Sequence, residues 1–278
     1  MPRIHPTAIV DPAAKLADDV EVGPYAIVEP DVEIGPGCVL RANSIVRRYT
    51  TMGRNNIVDS FTVIGGEPQD LKFDPATPSY VRIGDGNVFR EHCTVSRATG
   101  QGSSTTIGDR CYLMTGAHVG HEAVLGNDCV LVNRAALAGH SRIADQVILS
   151  AHVSVHQFTW VGRGVMSQGN SIMVMHVPPF CLTAGTGQVV SLNLVGLRRS
   201  ADLTREDRKQ IREAFDIFYR SGLPTNKALE RMKTCEWNGA ASEFRDFVRE
   251  ALEAAPPYRR GIAPLRSRRR SDEEYAGA

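Results

Sequence analysis

From Ile4 to Ile64 every sixth residue is aliphatic, through Val10, Leu16, Val22, Val28, Ile34, Leu40, Val46, Met52 and Val58. The series resumes at Ile83, Phe89 and Val95, skips one slot at Gln101, and runs from Ile107 to Val161 without a gap. Neither a helix, with 3.6 residues per turn, nor a plain strand, alternating every second residue, produces a strict period of six. Such a period marks one small unit stacked on itself, each copy too short to bury its apolar face alone.

The slots between the aliphatics are as regular. Glycine follows directly at Gly23, Gly35, Gly53, Gly65, Gly84, Gly108, Gly120, Gly126 and Gly162. Proline stands two after at Pro6, Pro12, Pro24, Pro30 and Pro36. These residues punctuate turns, so every hexad contains a corner. Four after the aliphatic, residues are mostly small, including Ala8, Ala14, Ala26, Ser44, Thr62, Ala117 and Ala123. Two residues apart on a strand, the small and the large side chain point the same way, here inward. Three such hexads form one triangular coil of a parallel β-helix, so residues 18 apart stack one above the other. Cys38, Cys93, Cys111 and Cys129 all occupy the small inward slot. With no C-x-x-C pair, they read as core fillers of a reduced, cytoplasmic protein.

The expected organisation is a β-helix domain over 1–195, broken by loops at about 66–82 and 98–106, where the repeat lapses. Loops on a rigid scaffold commonly carry binding groups. After Val161 the pattern decays, and Val177-Pro178-Pro179 marks an exit. A helical domain is expected over 196–255. Thr204 and Asp207 stand three apart as an N-cap pair, Ile211, Phe215, Ile217 and Phe218 suit an amphipathic face, and Gly222 ends it. A second helix starts after Thr225 and a third covers about 240–254. These helices are expected to cap the open end of the coil. The stretch 256–278, with Arg266, Arg268, Arg269 and Arg270, is expected to be a basic tail without fixed structure.

Charge excludes some functions. The net charge is +1, so no strong nucleic-acid affinity is expected. It is unevenly spread: residues 1–195 carry 14 basic and 17 acidic side chains, and 196–278 carry 18 and 14. No run of about 18 apolar residues exists, so no stable membrane insertion is expected, and Met1 to Val10 lacks the pattern of a secretory signal.

Five histidines lie between 118 and 156. Val119, Leu137 and Val155 are spaced by 18, so His121, His140 and His156, each just after one of them, gather along one edge with His118. His152 lies one face away. His121 occupies the proline phase, a corner slot that projects outward, and clustered outward imidazoles are better site material than core material. Two chemistries suit the cluster. In one, His121 is a general base for a hydroxyl nucleophile, Glu122 orients the ring, and backbone N–H groups near Gly139 receive the oxyanion. In the other, three neutral histidines converging from adjacent subunits hold zinc.

Further motifs surround this cluster: Gln69-Asp70-Leu71-Lys72, Ala117-His118-Val119-Gly120-His121, Leu137-Ala138-Gly139-His140, Val155-His156-Gln157-Phe158, Val177-Pro178-Pro179, Gly196-Leu197-Arg198-Arg199 with Asn193, and Tyr219-Arg220-Ser221-Gly222. Together they resemble the UDP-N-acetylglucosamine O-acyltransferase family of lipid A biosynthesis, over about residues 4–235. The resemblance implies a left-handed coil, against the usual right-handed crossover, and a homotrimer. It also implies transfer of a 3-hydroxyacyl chain from acyl carrier protein to the 3-position of a UDP-aminosugar, with no metal or cofactor. His121 looks like the base and Gly139 the oxyanion donor. Gln69, Asp70 and Lys72 look like binders of sugar and acyl or phosphopantetheine groups. His118, His140 and Gln157 look like positioning groups, His156 a neighbour of the diphosphate, Arg199 a diphosphate contact, and Gly169 the position that rules chain length. The sequence departs from the family at three places: Glu122 stands where aspartate is usual, Ser96 replaces a histidine, and Arg134 an asparagine. A 3-amino sugar acceptor, an acetyl-CoA-dependent sugar acetyltransferase, a binding-only paralogue and a carbonic-anhydrase-like zinc enzyme remain alternatives at this point.

Overall fold

The computed structural model describes residues 1–237 and 239–267. Its strands, most only two residues long, lie in three sheets whose members recur every third strand, and nearly all pair in parallel. The result is a left-handed triangular prism. The 18-residue register holds: Ile4 pairs with Val22, Val22 with Leu40, and Leu40 with Val58. Val119, Leu137 and Val155 form one continuous buried column. The aliphatic slots fill the axis, and Cys38, Cys93, Cys111 and Cys129 are buried among them as free thiols. Burial pushes the Cys93 thiol up to about 12, which suits a filler rather than a nucleophile.

The corners explain the polar phase of the repeat. One residue in most turns sits at positive φ, and it stands three after the aliphatic: Tyr25, Asp31, Asn43, Asn55, Asp128, Arg134, His140 and others, all near 55–60°. No Val, Ile or Thr is among the described residues at positive φ, since a β-branched side chain there would clash with its own backbone. The preceding residue, in the proline phase, is asked for no ladder hydrogen bond, which is why proline is tolerated there.

The loops are shorter than the sequence suggested, at 67–79 and 97–103. Tyr80–Ile83 and Ser104–Ile107 extend as four-residue strands and pair with each other, Tyr80 against Ser104 through Ile83 against Ile107. Alternation carries them: Val81, Ile83, Thr105 and Ile107 all face inward. The coil also outlasts Val161. Ser167 and Met173 hold the six-residue phase and are buried, and the polar Ser167 is what breaks the apolar series after Val161. A hairpin, Cys181–Ala184 with Gln188–Leu192, then closes the coil.

Among the described residues four helices follow: α1 (Leu194–Arg199), α2 (Arg205–Tyr219), α3 (Thr225–Lys233) and α4 (Ala240–Glu253). The Thr204–Asp207 capping box opens α2 as expected. The short α1 was not foreseen; Asn193 caps it by accepting the Gly196 N–H at 2.9 Å. Apolar residues of α2, α3 and α4 join the prism interior in one core. No helix among the described residues is long and apolar enough to cross a membrane.

The expectation of a tail without fixed structure fails for its first part. Residues 258–266 return to the prism as a strap, with Ile262 bridged to His176 and Leu265 to Val189. Ala263 is buried and accepts from the Tyr219 hydroxyl at 2.9 Å. The strap supplies backbone partners at the last coil, where no further coil is stacked to satisfy them. Arg268, Arg269 and Arg270 lie outside the described residues.

Candidate active site

The corner at Gly120–Glu122 places two adjacent side chains on the same side. Glu122 takes the positive-φ slot, at 51°, so its carboxylate turns back toward the ring that precedes it. His121 Nδ1 and Glu122 Oε2 are 2.5 Å apart, with only 14% and 13% of the two side chains exposed. A carboxylate only accepts, so the proton belongs on Nδ1 and the Nε2 lone pair is bare.

The other carboxylate oxygen is held from the second loop. Oε1 accepts the Thr99 N–H at 2.7 Å, the Thr99 hydroxyl at 2.7 Å and the Gly100 N–H at 2.9 Å. Burial raises the Glu122 pKa, but the bonds from His121, Gly100 and Thr99 outweigh it and bring the carboxyl down to about 2. The charge that orients His121 is therefore permanent at neutral pH.

His121 opens on a pocket of about 300 Å³, lined by Gln69, Ser96, His118, Gly139 and Gln157 among others. Gly139 sits one coil along, 18 residues on. A Cβ there would stand 2.4 Å from His121 Cε1 and Nε2, so only glycine leaves the ring in place. Gly139 is also in the proline phase, where the coil makes no demand on the N–H, and it borders the pocket on which His121 opens.

His118 projects outward from the same strand, its Nδ1 2.8 Å from the Thr94 hydroxyl. Burial, then the charge of nearby His121, lower its pKa, so the ring is neutral at pH 7. His140 does not line the pocket. It stacks on Phe158 at 4.8 Å and meets His121 edge-on at 5.2 Å, with Nε2 3.8 Å from Glu122 Oε2. Burial lowers its pKa more than Glu122 raises it. It buttresses the pair from behind. His156 is exposed, and its Nδ1 accepts from the Arg260 guanidinium at 3.0 Å.

The remaining sequence candidates stand apart within one chain. Asp70 and Lys72 are exposed on the first loop, where Asp70 Oδ1 accepts the Lys72 N–H at 2.9 Å and closes a local turn. Gly169 is exposed on a later coil, its absent Cβ 3.3 Å from the Ala151 carbonyl oxygen. Arg199 lines a different pocket with Phe180, Asn193 and Leu203.

Sequence reasoning missed Thr99 and Gly100, the donors to Glu122, though the lapse in the repeat marked their loop. It also missed Phe158 behind His140, and the strap residues Tyr258 and Arg260. Tyr258 meets Phe158 edge-on at 5.4 Å. That contact depends on the chain folding back across roughly a hundred residues, which no local pattern reveals.

Within one chain, the described residues bring no three histidines together around one metal position. The donors close enough for one metal are His121, Glu122 and His140, within 4.8 Å of one another. Two of them, Nδ1 and Oε2, already face each other in a hydrogen bond, and His118 and His156 do not converge with them. Two histidines and a carboxylate can ligate zinc, but here His121 Nδ1 and Glu122 Oε2 are engaged with each other.

Comparison with known proteins gives consistent matches. The profile described as Udp N-acetylglucosamine O-acyltransferase, Domain 2, matches residues 176–263, and that of the bacterial transferase hexapeptide (six repeats) matches residues 2–48. The chain is 43% identical over 254 residues to an acyl-carrier-protein-dependent UDP-N-acetylglucosamine O-acyltransferase of Stenotrophomonas maltophilia, covering 90% of this chain and 96% of that one. Among solved structures, the UDP-N-acetylglucosamine acyltransferase of Campylobacter jejuni is 32% identical with a TM-score of 0.86, over 95% of this chain and 100% of that one. The Francisella novicida enzyme of the same name is 31% identical with a TM-score of 0.84, over 99% and 98%.

Proposed function

The chain belongs to the acyl-carrier-protein-dependent UDP-N-acetylglucosamine O-acyltransferase family, and on that premise we propose that it moves a 3-hydroxyacyl chain from acyl carrier protein to the 3-hydroxyl of UDP-N-acetylglucosamine, with His121 as general base. This is the first step of lipid A biosynthesis. The observation that carries the mechanism is the His121–Glu122 bond at 2.5 Å, which leaves a bare Nε2 at a pocket bordered by Gly139.

His121 Nε2 takes the proton of the sugar hydroxyl as its oxygen attacks the thioester carbonyl. The new C–O bond gives a tetrahedral oxyanion, and the Gly139 N–H donates to it. Glu122 stabilises the imidazolium that now exists. As the C–S bond breaks, the electron pair leaves on the phosphopantetheine sulfur, and the imidazolium returns its proton to it. The base is then regenerated and no cofactor takes part.

Gln69, His118 and Gln157 border the same pocket, which supports roles in placing the sugar. Asp70, Lys72, His156, Gly169 and Arg199 do not line it in one chain, and about 300 Å³ is small for a nucleotide sugar and an acyl chain together. A homotrimer, in which the groove is completed by a second copy, accounts for both points. The exposed outward residues Ile9, Val124 and Ile172 on the prism walls suit such an interface. Six free cysteines fit a reducing compartment, the cytoplasm.

The test is mass spectrometry of purified protein with UDP-N-acetylglucosamine and a panel of 3-hydroxyacyl carrier proteins. An acylated UDP-sugar is expected. Product only with a 3-amino sugar would move the reading to N-acylation, and product only from acetyl-CoA would contradict it.

A further inference from the structure

The second loop, 97–103, approaches the catalytic corner without lining the pocket, and it meets Glu122 with more donors than a solvated surface loop needs. We propose that Thr99 is a positioning residue for acyl transfer, holding one oxygen of Glu122 so that the other orients His121. The inference rests on the reading of His121 as the base.

Glutamate carries one methylene more than aspartate, so its carboxylate has an extra rotor and could swing away from the ring. Three donors on Oε1 remove that freedom, and Thr99 supplies two of them, at 2.7 Å each. Oε2 is left to His121 alone at 2.5 Å, with His140 Nε2 the next polar group at 3.8 Å. The only other imidazole bordering the pocket, His118, is bonded to Thr94 instead.

The loop is itself fixed, so the donors are in place before substrate arrives. Arg97 is 2% exposed, and its guanidinium donates to the Thr77 and Pro75 carbonyls at 2.7 and 2.8 Å while lying over the Phe73 ring at 4.8 Å. The Arg97 N–H donates to Gly66 O at 2.8 Å, and the Ser103 N–H closes the loop on Gly100 O at 3.0 Å. The longer arm at position 122 and a hydroxyl at position 99 therefore match each other.

The experiment is steady-state kinetics of Thr99→Val, Thr99→Ser, Glu122→Asp and the Thr99→Val/Glu122→Asp double variant, with melting temperatures measured alongside. Thr99→Val should lower kcat about ten-fold, the scale of one lost hydrogen bond to a charged group. KM for both substrates should stay within about two-fold, because no contact to substrate is removed. Thr99→Ser should restore most of kcat. Glu122→Asp should also lose kcat, since the shorter arm cannot span from Thr99 to His121, and the double variant should fall little below the worse single one.

Full kcat in Thr99→Val, a loss that serine does not restore, or additive losses in the double variant would overturn the inference. His121→Ala in the same assay separates the two levels. Near-normal turnover there removes the base itself, whereas an inactive His121→Ala beside a fully active Thr99→Val removes only the role of Thr99.

Discussion

Gly139 lies one coil along from His121, and the Cβ it lacks would stand 2.4 Å from the imidazole Nε2. The two residues share the same corner of successive coils, so the ring proposed as base and the N–H proposed to receive the oxyanion are brought together by the stacking itself. Gly139→Ala should push the imidazole off its bond with Glu122. A displacement near 1 Å costs on the order of 10²-fold in turnover. The check is kcat for the variant beside an equilibrium measurement of UDP-sugar binding, and wild-type turnover would place the ring elsewhere.

Acid should reveal the Glu122 network. Its carboxyl is held at about 2, below the ordinary 4.5. A group depressed in the folded state adds stability above its unfolded pKa, and that stability is lost as pH falls through the folded value. Wild type should therefore lose stability through this group between about 4.5 and 2, while Glu122→Gln, which does not titrate, loses less. Thermal melts across that window should show the gap between the two proteins closing; a constant gap would contradict the assignment.

Removal of the strap should loosen the far end of the site. Ending the chain after Pro257 deletes four backbone bonds to the prism: His176 N–H to Gly261 O, Ala263 N–H to His176 O, Val189 N–H to Pro264 O, and Arg266 N–H to Val189 O. It also leaves the buried His176 without its Nε2 partner, the Tyr258 carbonyl at 2.7 Å. The expected loss is roughly 2–4 kcal/mol, at a net value near 1 kcal/mol per bond, measured by urea denaturation. An unchanged midpoint would mean that the strap rests on the prism without stabilising it.

The regular part of the fold was legible because its causes are local. A period of six fixes which side chains face inward, and a stack of 18 follows from three corners per coil, so the His121–Gly139 relationship could be drawn from residue numbers alone. The adjacency of His121 and Glu122 was also readable, because a corner lets neighbours point together. What could not be read depends on where irregular chain returns. Thr99 reaches Glu122 from a loop across 23 residues, and Arg260 reaches His156 across 104. The Arg-rich charge misled the reading of the tail: Ile262, Ala263 and Leu265 pack on the core, and the strap supplies the backbone partners that the last coil lacks.

Chain-length selection provides a test at a distance from the chemistry. If Gly169 borders the acyl groove of the assembled enzyme, Gly169→Met should shift preference toward shorter donors. A Cβ at this position would sit 3.3 Å from the Ala151 carbonyl oxygen, so the side chain fits only with a small adjustment and must project outward. The readout is kcat/KM across a donor series, and an unchanged profile would remove Gly169 from the groove.

The proposed chemistry depends most directly on His121, and the measurement that tests it is single-turnover acyl transfer by His121→Ala with saturating UDP-N-acetylglucosamine and acyl carrier protein donor. Loss of about 10²- to 10⁴-fold is predicted, the range for a general base, with UDP-sugar binding retained. Turnover close to wild type in that variant would contradict the mechanism.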